Sequence, residues 1–75
     1  MKDIEALSAH GGEITLGALH PIECAATAAD ASNTLAMLVR RDGETLTALL
    51  KRLDKAIALA YEDGQFIDEV HGGAD

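Results

Sequence analysis

Along this chain the spacing of apolar residues shifts from two to between three and four, dividing it into a sheet-forming middle and a helical end. From Leu46 to Asp63, the apolar positions Leu46, Leu49, Leu50, Leu53, Ile57 and Ala60 recur at i, i+3, i+4 and i+7. That spacing predicts a helix with one buried face. Lys51, Arg52, Asp54, Lys55 and Ala58 fall on the rest of its surface. Thr45 offers a side-chain oxygen at the N-cap, with Asp42 as the rival cap, and Gly64 suits the left-handed residue after the last turn.

Upstream the period is two. EITLGAL alternates Ile14, Leu16 and Ala18 against Thr15 and Gly17, which predicts a strand. His20-Pro21 interrupts it, because proline lacks the ladder N–H and biases His20 to an extended form. Alternation resumes in IECAATAAD, with Ile22, Cys24, Ala26 and Ala28 against Glu23, Ala25, Thr27 and Ala29. A helix is the rival over 25–29, since alanine has high helix propensity. The turn residues DASN then lead into TLAMLVRR, where Leu35, Met37 and Val39 alternate with Thr34, Ala36, Leu38 and Arg40. Two alternating runs about a short polar turn predict a hairpin.

At the start, KDIEALSAHGG reads as a short helix with a stripe of Ile4 and Leu7, ended by Gly11. At the end, QFIDEV reads as an extended segment whose Phe66 and Ile67 tuck against the sheet, and residues 71–75, HGGAD, as a flexible tail. The expected fold is α+β over residues 1–70: a short helix, an antiparallel sheet of about three strands, and a long amphipathic helix across one sheet face. Its other face would present Ala25, Thr27, Ala36 and Leu38, small and apolar for a solvated surface and therefore a candidate dimer face.

Composition sharpens the expectation of a partner. At 75 residues the chain supports one core, and aromatic residues are 3% of it, Tyr61 and Phe66 alone. A core of Leu, Ile, Val and Ala in so small a domain supplies roughly 3–5 kcal/mol. Cys24 is the single cysteine, so no disulfide can form within the chain. Self-association as a homodimer, or tight packing on a partner protein, is the expected remedy. The lone cysteine, the lack of an apolar stretch near the ~20 residues that span a bilayer, and an N-terminus without an apolar core all suit a cytoplasmic protein. Size and style suggest a bacterial or phage source.

The formal charge of −7 argues against a general attraction to nucleic acid, but the charge is uneven. Arg40, Arg41, Lys51, Arg52 and Lys55 fall in one segment, with acidic residues on both sides. The corner LVRRDGETLTALL places two arginines beside a helix start, where a phosphate could sit. Asp42 and Glu44 occupy the same corner and oppose an anion, so an ordinary capped turn is the simpler reading. The stripe continued by Lys51, Arg52 and Lys55 could be a solvated helix face, with Asp54 relieving Lys51, or a docking surface for an acidic protein or for phosphates. His10, His20, His71 and Cys24 lack metal-ligand spacing, and nothing beyond proximity pairs Cys24 with His20 for catalysis. No cofactor is implied.

The run GETLTALLKRLDKAIALA, a turn, a Thr cap and a Leu/Ala-rich helix after two strands, resembles the helix of HicB-like antitoxin domains over residues 43–60. That resemblance implies a partial RNase-H-type fold and toxin-linked regulation. The HicB-type pattern has an acidic residue soon after the cap, where this chain has Ala48. The order α-β-β-β-α is similar to that of double-stranded-RNA-binding domains, which implies RNA binding through a basic cluster at the start of the last helix. Here DGETLTA is acidic and polar at that place. More broadly, the chain resembles short orphan proteins of bacterial accessory DNA and prophages, a likeness that implies no activity. The expected function is a small non-enzymatic protein–protein interaction or regulatory module. The alternatives are a nucleic-acid-linked or toxin–antitoxin-type regulator working through the basic stripe, and an acidic nucleic-acid mimic.

Overall fold

Three successive strands fill the middle of the chain. In the computed structural model, which describes residues 1–19 and 22–70, they are β1 (Glu13–Leu19), β2 (Ile22–Ala29) and β3 (Thr34–Val39), each antiparallel to the next. The alanine-rich β2 lies between the other two and pairs with both. Its backbone groups are therefore satisfied on both sides, and this pairing outweighs the helix propensity of its alanines. Asp30 makes the β2–β3 turn, with Oδ1 accepting from the Ser32 and Asn33 amides at 2.8 and 2.7 Å.

Helix α1 (Lys2–Ala9) precedes the sheet and α2 (Leu46–Asp63) follows it. Thr45 is the N-cap of α2, its Oγ1 accepting from the Ala48 amide at 3.1 Å. Gly64, at φ 65°, closes the other end in the left-handed conformation that glycine adopts without steric cost. The helix packs across β3 and β2, and α1 lies beside α2 and against β1, so both helices cover the same sheet face.

The core joins Leu7 of α1 and Ala26, Ala28, Leu35, Ala36 and Leu38 of the sheet to Leu49, Leu53, Ala56, Ile57 and Ala60 of α2. Leu46, expected in this stripe, is 44% exposed at the first helical position, while Ala56 is buried. The fold class is α+β as expected, but among the described residues the sheet has four strands, not three. After Gly64 the chain turns back and adds β4 (Ile67–Asp68) parallel to β3, making the sheet mixed. Ile67 packs against the core as expected, whereas Phe66 is 57% exposed. The tail expected at 71–75 lies outside the described residues.

Strand β3 also corrects the expected dimer face. Ala28 pairs with Ala36 while Ala29 pairs with Thr34, leaving Leu35 as the extra residue of a bulge. The bulge keeps Leu35 in the core together with Ala36 and Leu38. Met37 and Val39, whose partners are Thr27 and Ala25, therefore lie on the outer face. Ala36 and Leu38 do not share a face with Ala25 and Thr27. Plain alternation had placed the bulkier set inside, and a one-residue insertion is enough to reverse that assignment.

Helix α1 is short and has no side-chain cap of its own at Met1. Asp54 of α2 supplies the missing acceptor, its Oδ1 bonding the Ile4 amide at 2.8 Å. Asp54 thus serves α1, in place of the relief of Lys51 that spacing suggested. The exit from α1 is equally constrained, with the Gly12 amide bonding the Leu7 carbonyl at 2.9 Å. A Cβ on Gly12 would strike the Leu7 side chain and come within 2.9 Å of the Ala29 carbonyl oxygen.

Two substitutions test this packing. Leu53→Ala empties a fully buried site and is expected to destabilise by roughly 2–5 kcal/mol in denaturant unfolding. Gly12→Ala is expected to lower the melting temperature and to loosen α1 from β1, seen as faster amide exchange in α1 with α2 retained. Unchanged stability in Gly12→Ala would mean that α1 does not depend on this close approach.

Candidate interaction surfaces

The corner between β3 and α2 is held by Arg52, which the sequence places among free cations. Its Nε donates to Glu44 Oε2 at 2.7 Å and its Nη2 to Glu44 Oε1 at 2.9 Å. Nη2 also reaches the Val39 carbonyl at 2.9 Å, and Nη1 reaches Glu69 Oε2 at 3.1 Å. Glu69 Oε1 in turn accepts from the Val39 amide at 2.9 Å. One guanidinium therefore ties α2 to the preceding turn, to the end of β3 and to the segment after β4. Two-point contact of this kind suits the planar fork of arginine and would be lost with lysine.

The other members of the basic stripe are placed differently. Arg40 Nε donates to the Glu44 carbonyl at 2.7 Å, which spends a donor without neutralising charge. Arg41 Nη2 lies 3.9 Å from Glu69 Oε2, and its side chain is 67% exposed. Lys51 and Lys55 are exposed on α2, with no ion pair among the described residues. The five cations thus do not form one free surface. Arg52 is a structural tie, and Arg40, Arg41, Lys51 and Lys55 remain exposed, Arg41 at the margin of an ion pair with Glu69.

Glu44 shows the electrostatic consequence. The hydrogen bond from Arg52 comes first, then the Arg41 amide at 3.0 Å, and together they hold its carboxyl at about 2, well below the usual 4.5. The Asp30 carboxyl is likewise lowered, chiefly by the Ser32 and Asn33 amides. Arg52 is raised above its ordinary value, with the Glu44 hydrogen bond as the largest cause.

The outer sheet face is the second candidate. Thr15 and Thr27 hydrogen-bond across it through their hydroxyls, and Ala25, Ala29, Thr34 and Met37 line an open depression of about 460 Å³ with them. Among the described residues no helix crosses it, because α1 and α2 lie on the opposite side. Ala25 and Thr27 of the expected dimer face are found here.

The chemistry considered for histidine and cysteine gains no geometry. Among the described residues no group of three or more His, Cys, Asp or Glu could hold a metal ion. Cys24 is half-buried and packs against the core, His10 Nδ1 lies 2.7 Å from the Ala6 carbonyl, and His20 and His71 fall outside the described residues. No helix among the described residues is long and apolar enough to cross a membrane. No protein-family model matches the chain, and comparison with curated proteins and with solved structures also finds no match.

The sign of the acid response follows from Glu44. A carboxyl lowered in the folded state contributes stability above its unfolded value of 4.5, and that contribution is lost as pH falls toward about 2. Glu44→Gln is expected to be less stable than wild type at neutral pH, with the difference shrinking between pH 4.5 and about 2. Urea midpoints of both proteins across that window would show it. A difference independent of pH would remove the Glu44 charge as the cause.

Proposed function

We propose that this chain is a small non-enzymatic protein–protein interaction or regulatory module, working as a homodimer. The observation that carries this reading is the outer sheet face, where Thr15, Thr27, Ala29, Met37 and Val39 surround a buried Ala25 and no helix of the described residues lies across it. A slight, alanine-rich core gains most from burying such a surface. The polar groups support the non-enzymatic part. Arg52, Glu44, Glu69, Asp54 and Asp30 are bonded to one another or to backbone, and no buried side-chain polar atom among the described residues lacks a partner. An active site instead keeps convergent polar groups available to substrate.

A nucleic-acid-linked regulator is the second reading, favoured by the outward Lys51, Lys55 and Arg41. The engagement of Arg52 by two carboxylates weakens it. The acidic-mimic reading has only the net charge of −7 in its support.

Sedimentation velocity from low to high micromolar protein tests the leading reading, with a dimer expected. A strictly monomeric, well-folded protein at high micromolar would overturn the homodimer. Gel-shift assays with duplex DNA and RNA at low salt are expected to show no binding. A shift that weakens steeply with salt and disappears in Lys51→Glu would establish the second reading instead.

A further inference from the structure

The two edges of the sheet are unequal. The β4 edge is two residues long and carries Asp68, with Glu69 directly after it. Short, charged edges of this kind resist pairing with another chain. The β1 edge has seven residues, and from Ile14 to Leu19 none is charged and none is proline. Among the described residues its backbone pairs only with β2, and the register shift past Gly17 sets one residue of β1 against two of β2, so the extra residue belongs to the inner strand. Leu16 in the middle of the edge is 42% exposed. The strand with the most unpaired backbone is therefore also the one least guarded.

We infer that β1 pairs antiparallel with β1 of a second copy, centred on Leu16, joining two sheets into one. This rests on the homodimer reading but places the contact between copies at the β1 edge, so the outer sheet face stays open in the dimer. The edge is self-complementary in that register. Leu16 opposes Leu16 of the second copy, on the side of the sheet that carries the helices, so each covers the other's exposed side chain. Thr15 opposes Gly17 and Ile14 opposes Ala18, in each case a larger residue against a smaller one. Charge selects the same arrangement. Two chains of net charge −7 repel, and Glu13 is the only charged residue of β1. Antiparallel pairing about Leu16 sets the two Glu13 residues six positions apart, about 20 Å at the rise of a strand. That exceeds the Debye length of about 8 Å at physiological salt, so their repulsion is screened. A parallel arrangement would set them side by side. The outer faces of both copies then run together as one platform for whatever the module binds.

The test uses two single-cysteine proteins on a Cys24→Ala background, Leu16→Cys and Met37→Cys, treated with a short thiol cross-linker while sedimentation reports the assembly. Paired β1 edges place the two residues at position 16 about 5 Å apart. Those at position 37, on the third strand of each copy, stand about 24 Å apart. Cross-linking of Leu16→Cys and not of Met37→Cys is the expected result. Cross-linking of Met37→Cys alone would show that copies stack through the outer faces, overturning the edge pairing and keeping the dimer. A monomer in sedimentation would overturn both. Leu16→Lys sets two like charges together at the centre of the pair and is expected to weaken association roughly a hundredfold. Circular dichroism should remain native, because the residue is exposed, and undiminished association would count against the proposal.

Discussion

Close approach between α2 and the middle of the sheet is the constraint on which the rest depends. With aromatic residues at 3% of the sequence, no large ring is buried to fill the core. Ala26, Ala28 and Ala36 of the sheet share one buried cluster with Ala56 and Ala60 of the helix, and side chains this small permit a close approach of the two backbones. Leu38, Leu49, Leu53 and Ile57 are the largest fully buried side chains around this seam. Dispersion in so thin a layer is effective only at native packing density, so the helix has little freedom to shift without opening a void.

Polar ties fix the helix in that position. Near its start, Arg52 gathers Glu44, Glu69 and the Val39 carbonyl, linking the turn, the end of β3 and the returning segment after β4. Two residues further on, Asp54 caps the first turn of α1. Successive faces of α2 thus organise the elements that flank it, and both depend on side chains that a reading of local charge would assign to solvent. The half-buried setting of the Arg52 group makes its satisfaction more consequential than that of a surface pair, because a charge left without its partners there would face incomplete hydration.

The same arrangement leaves a one-sided molecule. Both helices cover one sheet face, and among the described residues the strand order β1-β2-β3-β4 leaves β1 at an edge with its outer backbone unpaired. The cations of the stripe left outward, Arg40, Arg41, Lys51 and Lys55, belong to the helix side and to the corner beside it. The β1 edge from Ile14 to Leu19 carries no charge in a strongly acidic chain, whereas Glu13 and Asp68 share the outer face with Ala29 and Met37. The proposed association would draw on the physics that makes the core thin: a domain with few large apolar side chains gains proportionately more by covering another surface.

By itself the sequence determined the elements whose signals are local. The apolar stripe, Thr45 and Gly64 set α2 at Leu46–Asp63, alternation set β1 and β2, and Asp30 set the hairpin turn, because periodicity and capping act over a few residues. Tertiary structure decided what depends on partners distant in the chain. The helix rival over 25–29 was settled only when β2 gained neighbours on both sides. The inward turn of Ala36 and Leu38 depends on a bulge that no residue of TLAMLV announces. β4 forms because the chain after Gly64 returns beside β3, and two residues carry no periodicity. Arg52 looked like Lys51 and Lys55 in sequence, and it differs because Glu44, eight residues before it, and Glu69, seventeen after, converge on its guanidinium. Local pattern records which side chains suit a helix or a strand, while only the packed chain determines which of them meet.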